Sequence, residues 1–208
     1  MLTLLISPRD PEAPLIARAV DALAAHGIVA YPTDTLYGLA ADPRDDEAVE
    51  RLYTVKGRQA GVPIPLIAGS IEQAQELATF SDAELRVARA FWPGPLTIVL
   101  QPRQALSPRV LGGGQTVAVR VPANSIACAL ATAFGFCITA TSANRSGEAP
   151  ARSADAAVTA LGDAIDLVLD GGPSEAGPAS TIVEIEASGP RLVRAGAVAF
   201  DRVLRSLE

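Results

Sequence analysis

Aromatic residues make up only 4% of this 208-residue chain, and it has one histidine, one lysine and two cysteines. Each scarcity removes a class of function. Few aromatic rings leave little from which to build a base-stacking platform for single-stranded nucleic acid. A lone His26 argues against a Ser-His-Asp centre and excludes a histidine-based zinc site; near a helix end it reads as a cap or surface residue. Cys128 and Cys137 are too few for a disulfide framework. Both lie in apolar patterns, the usual setting of buried free thiols, which fits a reduced, cytoplasmic location. There is no run of about 18 apolar residues, so no membrane span is expected. The segment from Met1 to Asp10 lacks the basic and apolar regions of a signal peptide. Neither G-x-x-x-x-G-K-[ST] nor G-x-G-x-x-G occurs.

What is there is aliphatic: 49% of residues are hydrophobic and 19% charged. That composition argues against disorder, and the length favours one compact domain over residues 1–208. The net charge of −6 speaks against a general nucleic-acid coat. The charge is uneven, at −6 over residues 1–50, +4 over 51–139 and −4 over 140–208. A basic middle in an acidic chain suits an anionic small molecule. Sixteen of the seventeen basic residues are arginine, and Lys56 is the only lysine. A compact ammonium and a planar guanidinium are not interchangeable, so the choice at position 56 calls for a reason.

Hydrophobic periodicity predicts helices over 12–26, 45–56, 71–78, 82–92, 125–134, 153–161 and 200–207. It predicts strands over 2–7, 27–31, 65–68, 96–101, 116–121, 136–140, 166–170, 180–186 and 190–194. Gly27 is expected in the left-handed position that ends the first helix. The segment Thr33–Leu39 reads as a polar turn, and Gly112-Gly113-Gly114 as a flexible loop. Interspersed helices and strands make an α/β protein. The late strands follow one another without long helices, so a single twisted mixed sheet with flanking helices is expected.

Polar residues gather where strands end, which is where open α/β sheets bind ligands. Thr33, Asp34 and Thr35 follow one strand, and Thr139, Thr141, Ser142 and Asn144 lie at the end of another. Ser180 opens a strand and Arg194 closes one. Lys56 and Arg58 flank Gly57, whose break of the helix would let two cations turn towards one ligand.

Seven segments, in order, carry a resemblance: YPTDTLYGL (31–39), KGR (56–58), WPGPLT (92–97), VAVRVP (117–122), TSANRSG (141–147), STIV (180–183) and RAG (194–196). Together they resemble the YrdC family in its short, single-domain form. The resemblance implies a threonylcarbamoyl-AMP synthase that joins L-threonine, bicarbonate or CO2 and ATP, releases pyrophosphate and passes its product to a tRNA-modifying threonylcarbamoyl transferase. It also implies roles. The family's K-x-R and S-x-N signature falls on Lys56, Arg58, Ser142 and Asn144, as catalytic and ATP-binding residues. Thr116 and Arg194 would lie near the triphosphate. Thr33, Arg120, Ala140 and Ser180 would hold threonine, with Arg120 as a fork on its carboxylate. Mg²⁺ would arrive on the ATP phosphates and need no dedicated protein ligands. Two family features are absent: Ile64 stands where an asparagine is usual, and Ala68-Gly69 where a histidine follows. An RNA-binding module and a paralogue with an altered substrate are the alternative readings.

Overall fold

The computed structural model of the chain describes residues 1–174 and 177–208. Its strands divide between two mixed sheets instead of forming one. The first has the order β1 (Leu2–Leu5), β10 (Leu167–Asp170), β2 (Val29–Pro32), β3 (Tyr37–Ala40), β9 (Thr141–Ser142). Its first three strands are parallel and the last two run antiparallel to their neighbours. The second has the order β12 (Gly189–Arg194), β11 (Thr181–Glu186), β6 (Leu96–Pro102), β7 (Val117–Arg120), β4 (Leu66–Ile67), β8 (Ile138–Thr139). A short β5 (Ala78–Thr79) pairs with the far end of β6.

The α/β reading holds, and the helices fall close to their expected bounds. They are α1 (Ala13–Ala24), α2 (Asp46–Lys56), α3 (Ile71–Leu77), α4 (Asp82–Phe91), α5 (Ser125–Phe134), α6 (Ala154–Leu161) and α7 (Phe200–Arg205). Side-chain oxygens cap the N-termini that matter most. Asp45 accepts from the amides of Glu47 and Ala48 to start α2, and Ser81 and Glu84 form a capping box on α4. At the end of α1 the expectation fails by one residue. His26, not Gly27, takes the left-handed conformation (φ 59°), and it pairs with Asp45 across the start of α2. Gly27 is required for a different reason: a Cβ there would come 2.4 Å from the Ala22 carbonyl oxygen.

Both faces of the first sheet are buried, which its period-two alternation makes possible. Val29, Tyr31, Leu167 and Leu169 pack against α1 and α5, while Ile28, Ala30, Leu39 and Val168 join the larger core shared with the second sheet. This burial explains β3, which the sequence hid inside an apparent turn. Tyr37 and Leu39 both enter that larger core, and Gly38 lies under the Tyr31 ring, where a Cβ would come 3.2 Å from Tyr31 Cζ.

One residue joins the sheets at the centre. The apolar run at 136–140 was expected as a single strand. Instead β8 ends at Thr139 in the second sheet and β9 begins at Thr141 in the first, so the chain crosses at Ala140. Hydrogen bonds hold the crossing: Ala140 N donates to Pro65 O at 2.8 Å, and Thr139 Oγ1 donates to Leu39 O at 2.9 Å.

Candidate functional site

A cavity of about 360 Å³ opens between the sheets at this crossing. The tight turn from Thr33 to Leu36, between β2 and β3, forms one edge. Thr33 builds that turn: its hydroxyl donates to Leu36 O at 2.6 Å and accepts from the amides of Thr35 and Leu36. Its hydrogen is therefore committed. Thr35 Oγ1 is the hydroxyl left to the cavity, touching Thr33 Oγ1 at 3.1 Å and receiving Arg120 Nη1 at 3.5 Å. Arg120 ends β7 and is buried; its guanidinium pairs with Asp34, whose other oxygen accepts from the amide of Ala123. Burial, with the nearby charge of Arg194 adding to it, brings the Arg120 pKa down to about 10.

The second edge comes from the end of α2 and the turn after β9. Gly57 takes the left-handed conformation (φ 56°) that ends the helix, and this separates the two cations flanking it. Lys56 turns inward and is only 2% exposed. Its three ammonium hydrogens meet three oxygens: Ser142 O at 2.5 Å, Asn144 O at 2.7 Å and Asn144 Oδ1 at 3.3 Å. Here is a reason for the only lysine. Three converging acceptors fit a compact three-donor ammonium, whereas a planar fork would need them spread along an edge. Burial foremost, and then the neighbouring Arg58, lowers its pKa to about 8.

Asn144 is equally occupied. Its Nδ2 donates to Arg145 O and Glu148 O, at 3.0 and 2.7 Å, and its Oδ1 accepts from Lys56 and from Ser142 Oγ. Thus the four signature residues meet, but they divide. Lys56 and Asn144 fix the turn, and Lys56 does not line the cavity; Arg58 and Ser142 do line it. Arg58 reaches Thr141 Oγ1 at 3.3 Å and the Val62 and Pro63 carbonyls at 3.2 and 2.7 Å.

The third edge lies where β11 and β12 meet β6. Arg194 donates to Ser180 O at 2.8 Å and to Ser180 Oγ at 3.1 Å, and Ser180 Oγ contacts Thr97 Oγ1 at 2.9 Å. Among the described residues, Arg58 and Arg194 form no ion pair with a carboxylate. Two guanidiniums with neutral partners, joined by a third whose charge Asp34 offsets, make the cavity a receptor for anions. Among the described residues, Glu148 is the one carboxylate on its wall.

Of the residues expected at the site, Thr33, Arg58, Arg120, Ala140, Ser142, Asn144, Ser180 and Arg194 line the cavity. Thr116 does not: it is exposed, ahead of β7. Thr35, Thr97 and Thr141 also line the wall; Thr35 and Thr141 stood among the strand-end polar residues expected near a ligand, with the choice between Thr33 and Thr35 open, whereas Thr97 had been given no role. Only Thr97 carried no polar signal of its own, sitting inside a strand pattern whose neighbours are apolar. The two absent family features also fall outside the lining. Ile64 is buried in the larger core, and Gly69 presses on α5, where a Cβ would come 2.1 Å from Thr132 Oγ1.

Other chemistry is sparse. No group of three potential metal ligands and no helix long and apolar enough to cross a membrane occurs among the described residues. Both cysteines are free, and burial raises both thiol pKa values, that of Cys137 to about 12.

Comparison with known proteins gives a consistent result. A model of the Sua5, yciO and yrdC sequences, described as "Telomere recombination", matches residues 21–196. The threonylcarbamoyl-AMP synthase of Bacillus subtilis is 35% identical over 95% of this chain and 57% of its own length. That of Pyrococcus abyssi is 39% identical over 85% of this chain and 52% of its own length. The chain therefore spans little more than half of these relatives. The crystal structure of P. abyssi Sua5 complexed with L-threonine superimposes with a TM-score of 0.92 at 33% identity, covering 100% of this chain and 61% of that one.

Proposed function

The chain belongs to the Sua5/YciO/YrdC family, and from that premise we propose that it forms threonylcarbamoyl-AMP from L-threonine, bicarbonate or CO2, and ATP. The observation that carries this reading is the anion-receptive cavity, with guanidiniums on separate edges and Thr35, Arg120 and Ser180 among its lining residues. A substrate with a carboxylate at one end and a polyphosphate at the other matches that distribution. The names of the relatives, and the threonine in the related structure, support the same chemistry.

In this reading the threonine amine takes up CO2, forming a C–N bond and losing a proton. One oxygen of the new N-carboxylate attacks the α-phosphorus of ATP. The bond from that phosphorus to the bridging oxygen breaks, and pyrophosphate leaves with the electron pair. Little covalent help is required; orientation and charge stabilisation supply the catalysis. Arg58 and Arg194 steady phosphate oxygens as charge moves onto pyrophosphate. Ser142 lines the nucleotide side, its hydroxyl hydrogen held by Asn144 Oδ1 and its oxygen left to accept. Lys56 and Asn144 keep the turn in shape beneath it. Arg120 and Thr35 orient the carboxylate of the amino acid. Magnesium would enter on the triphosphate and neutralise part of its charge, and Glu148 is the wall carboxylate that would approach it.

The product is a mixed anhydride, too reactive to store, so a tRNA-modifying transferase in the same compartment is its consumer. A cytosolic location fits this and the two free thiols. The test is direct: mix the protein with ATP, threonine and bicarbonate, and follow the nucleotides by mass spectrometry. The expected result is a threonine-dependent adenylate together with pyrophosphate. ATP that stays intact, or is cleaved equally without threonine, overturns the reading.

A further inference from the structure

We propose that Thr97 and Ser180 act as one hydrogen-bond donor unit for the carboxylate of the amino-acid substrate, an inference that rests on the function proposed above and adds Thr97 to its site. The argument is a count of hydrogens. The two hydroxyls carry two hydrogens between them, and one joins the pair at 2.9 Å. Ser180 Oγ also accepts from Arg194 Nη2, which occupies an acceptor position and supplies no hydrogen. No other acceptor within hydrogen-bonding distance of either hydroxyl occurs among the described residues. Whichever hydroxyl donates to the other, one O–H remains over. Both side chains are buried, at 2% and 7% exposure, and both line the cavity. The leftover hydrogen is therefore free to be donated into the cavity, and a ligand group that takes it must be an acceptor.

The pair's place beside Arg120, the fork on the amino-acid carboxylate in the proposed function, points to that carboxylate as the acceptor. The strand register that pairs Ile98 of β6 with Val119 of β7 sets Thr97 beside Arg120, on the same face of the second sheet. On its other side β6 pairs in parallel with β11, which sets Thr97 opposite Ile182, two residues after Ser180. The donor unit is thus adjacent to the guanidinium that pairs with Asp34, on the second sheet, whereas Ser142 belongs to β9 of the first. Donation from Arg194 polarises the Ser180 hydroxyl and strengthens whichever O–H is presented.

The count makes an uncommon demand on mutants. In Thr97→Val the Ser180 hydrogen is still available, and in Ser180→Ala that of Thr97 is. Only the double variant has none. Titration calorimetry of L-threonine into each variant reads this directly. Each single substitution should weaken binding about threefold, and the double about 100-fold, far beyond the product of the singles. Thr97→Ser, which keeps the hydroxyl, should bind like the parent, and melting curves confirm that each variant is folded. ATP affinity should stay within about twofold throughout.

A double variant no weaker than the product of the singles overturns the proposal. So does a loss confined to ATP, or a parent chain that binds no threonine. Failure of the function is read separately: a chain that binds threonine with this pattern but makes no adenylate keeps the donor unit and loses the proposed reaction.

Discussion

On the first-sheet side of the cavity, Lys56 and Asn144 have every hydrogen-bonding group matched inside the protein; on the second-sheet side, Thr97 and Ser180 keep one hydrogen over. Both pairs are buried and both are polar. The difference lies in stoichiometry. Three donors against three acceptors make a strut, because a satisfied network rigidifies. An unmatched donor at a cavity makes a contact, because what enters the cavity completes it. Buried polar residues beside a cavity therefore do not all touch what enters it.

The sharpest way to break this contrast is Lys56→Ala. It leaves the Asn144 carbonyl oxygen without a donor and removes one of two donors from Ser142 O and Asn144 Oδ1, which keep the Asn144 amide and Ser142 Oγ; at about 1–3 kcal/mol for the oxygen left unsatisfied, the melting temperature should fall clearly. Activity should fall about 100-fold as the turn under Ser142 shifts, since displacements near 1 Å cost that much. Lys56→Arg should not restore it, because the guanidinium fork does not fit three converging acceptors. A variant with normal stability and a selectively raised KM for ATP would make Lys56 a phosphate contact instead of a strut.

Arg58 offers the complementary case, a cation on the wall with neutral partners. Arg58→Lys keeps the charge and loses the fork. Steady-state kinetics should show the KM for ATP rising about tenfold, the loss of one charge-assisted hydrogen bond, with the melting temperature nearly unchanged. A smaller effect belongs to Asp34, which holds Arg120 from behind together with the amide of Ala123. Asp34→Asn removes the charge and keeps the shape. The KM for threonine should rise about fivefold while that for ATP is unaffected, a change just under 1 kcal/mol. Equal shifts in both would mean that Asp34 serves the whole cavity and not the Arg120 corner alone.

How far the sequence went follows the same division. Helices were legible because caps and apolar periodicity are local: Asp45, Ser81 and Gly57 each announce a helix end. The division into two sheets was not, because nothing local distinguishes Ala140 from the strand residues on either side; the crossing is set by what Thr139 and Thr141 pair with, far away in the chain. The strand at Tyr37–Ala40 was hidden by its turn-like composition, although Gly38 is there for the Tyr31 ring. Motifs brought the right neighbourhoods together, since Lys56 and Arg58 do meet the 141–144 segment. They could not say which hydroxyl of Thr33 and Thr35 is committed to the turn. The WPGPLT segment ends at Thr97 but gave it no role, because its significance is a distance to Ser180, 83 residues away.

The smallest expected effect tests the strut without a mutation. The Lys56 pKa lies near 8, below its ordinary 10.5, chiefly through burial. As pH rises through about 8 the ammonium becomes an amine, with two hydrogens and a lone pair facing three oxygens. Turnover should therefore decline on the alkaline side, by about half near pH 8. Stability should move the other way. Between 8 and 10.5 the unfolded chain holds more proton at this position than the folded chain, so this group makes its contribution to folding more favourable as pH rises. Activity lost while the melting temperature holds or rises would assign the decline to the turn and not to unfolding. Arg58, the charge that lowers the Lys56 pKa after burial, gives the control: in Arg58→Ala the alkaline limb should move to higher pH, because one repelling cation is gone. An unmoved limb would mean that another group titrates there, and that the strut keeps its proton throughout.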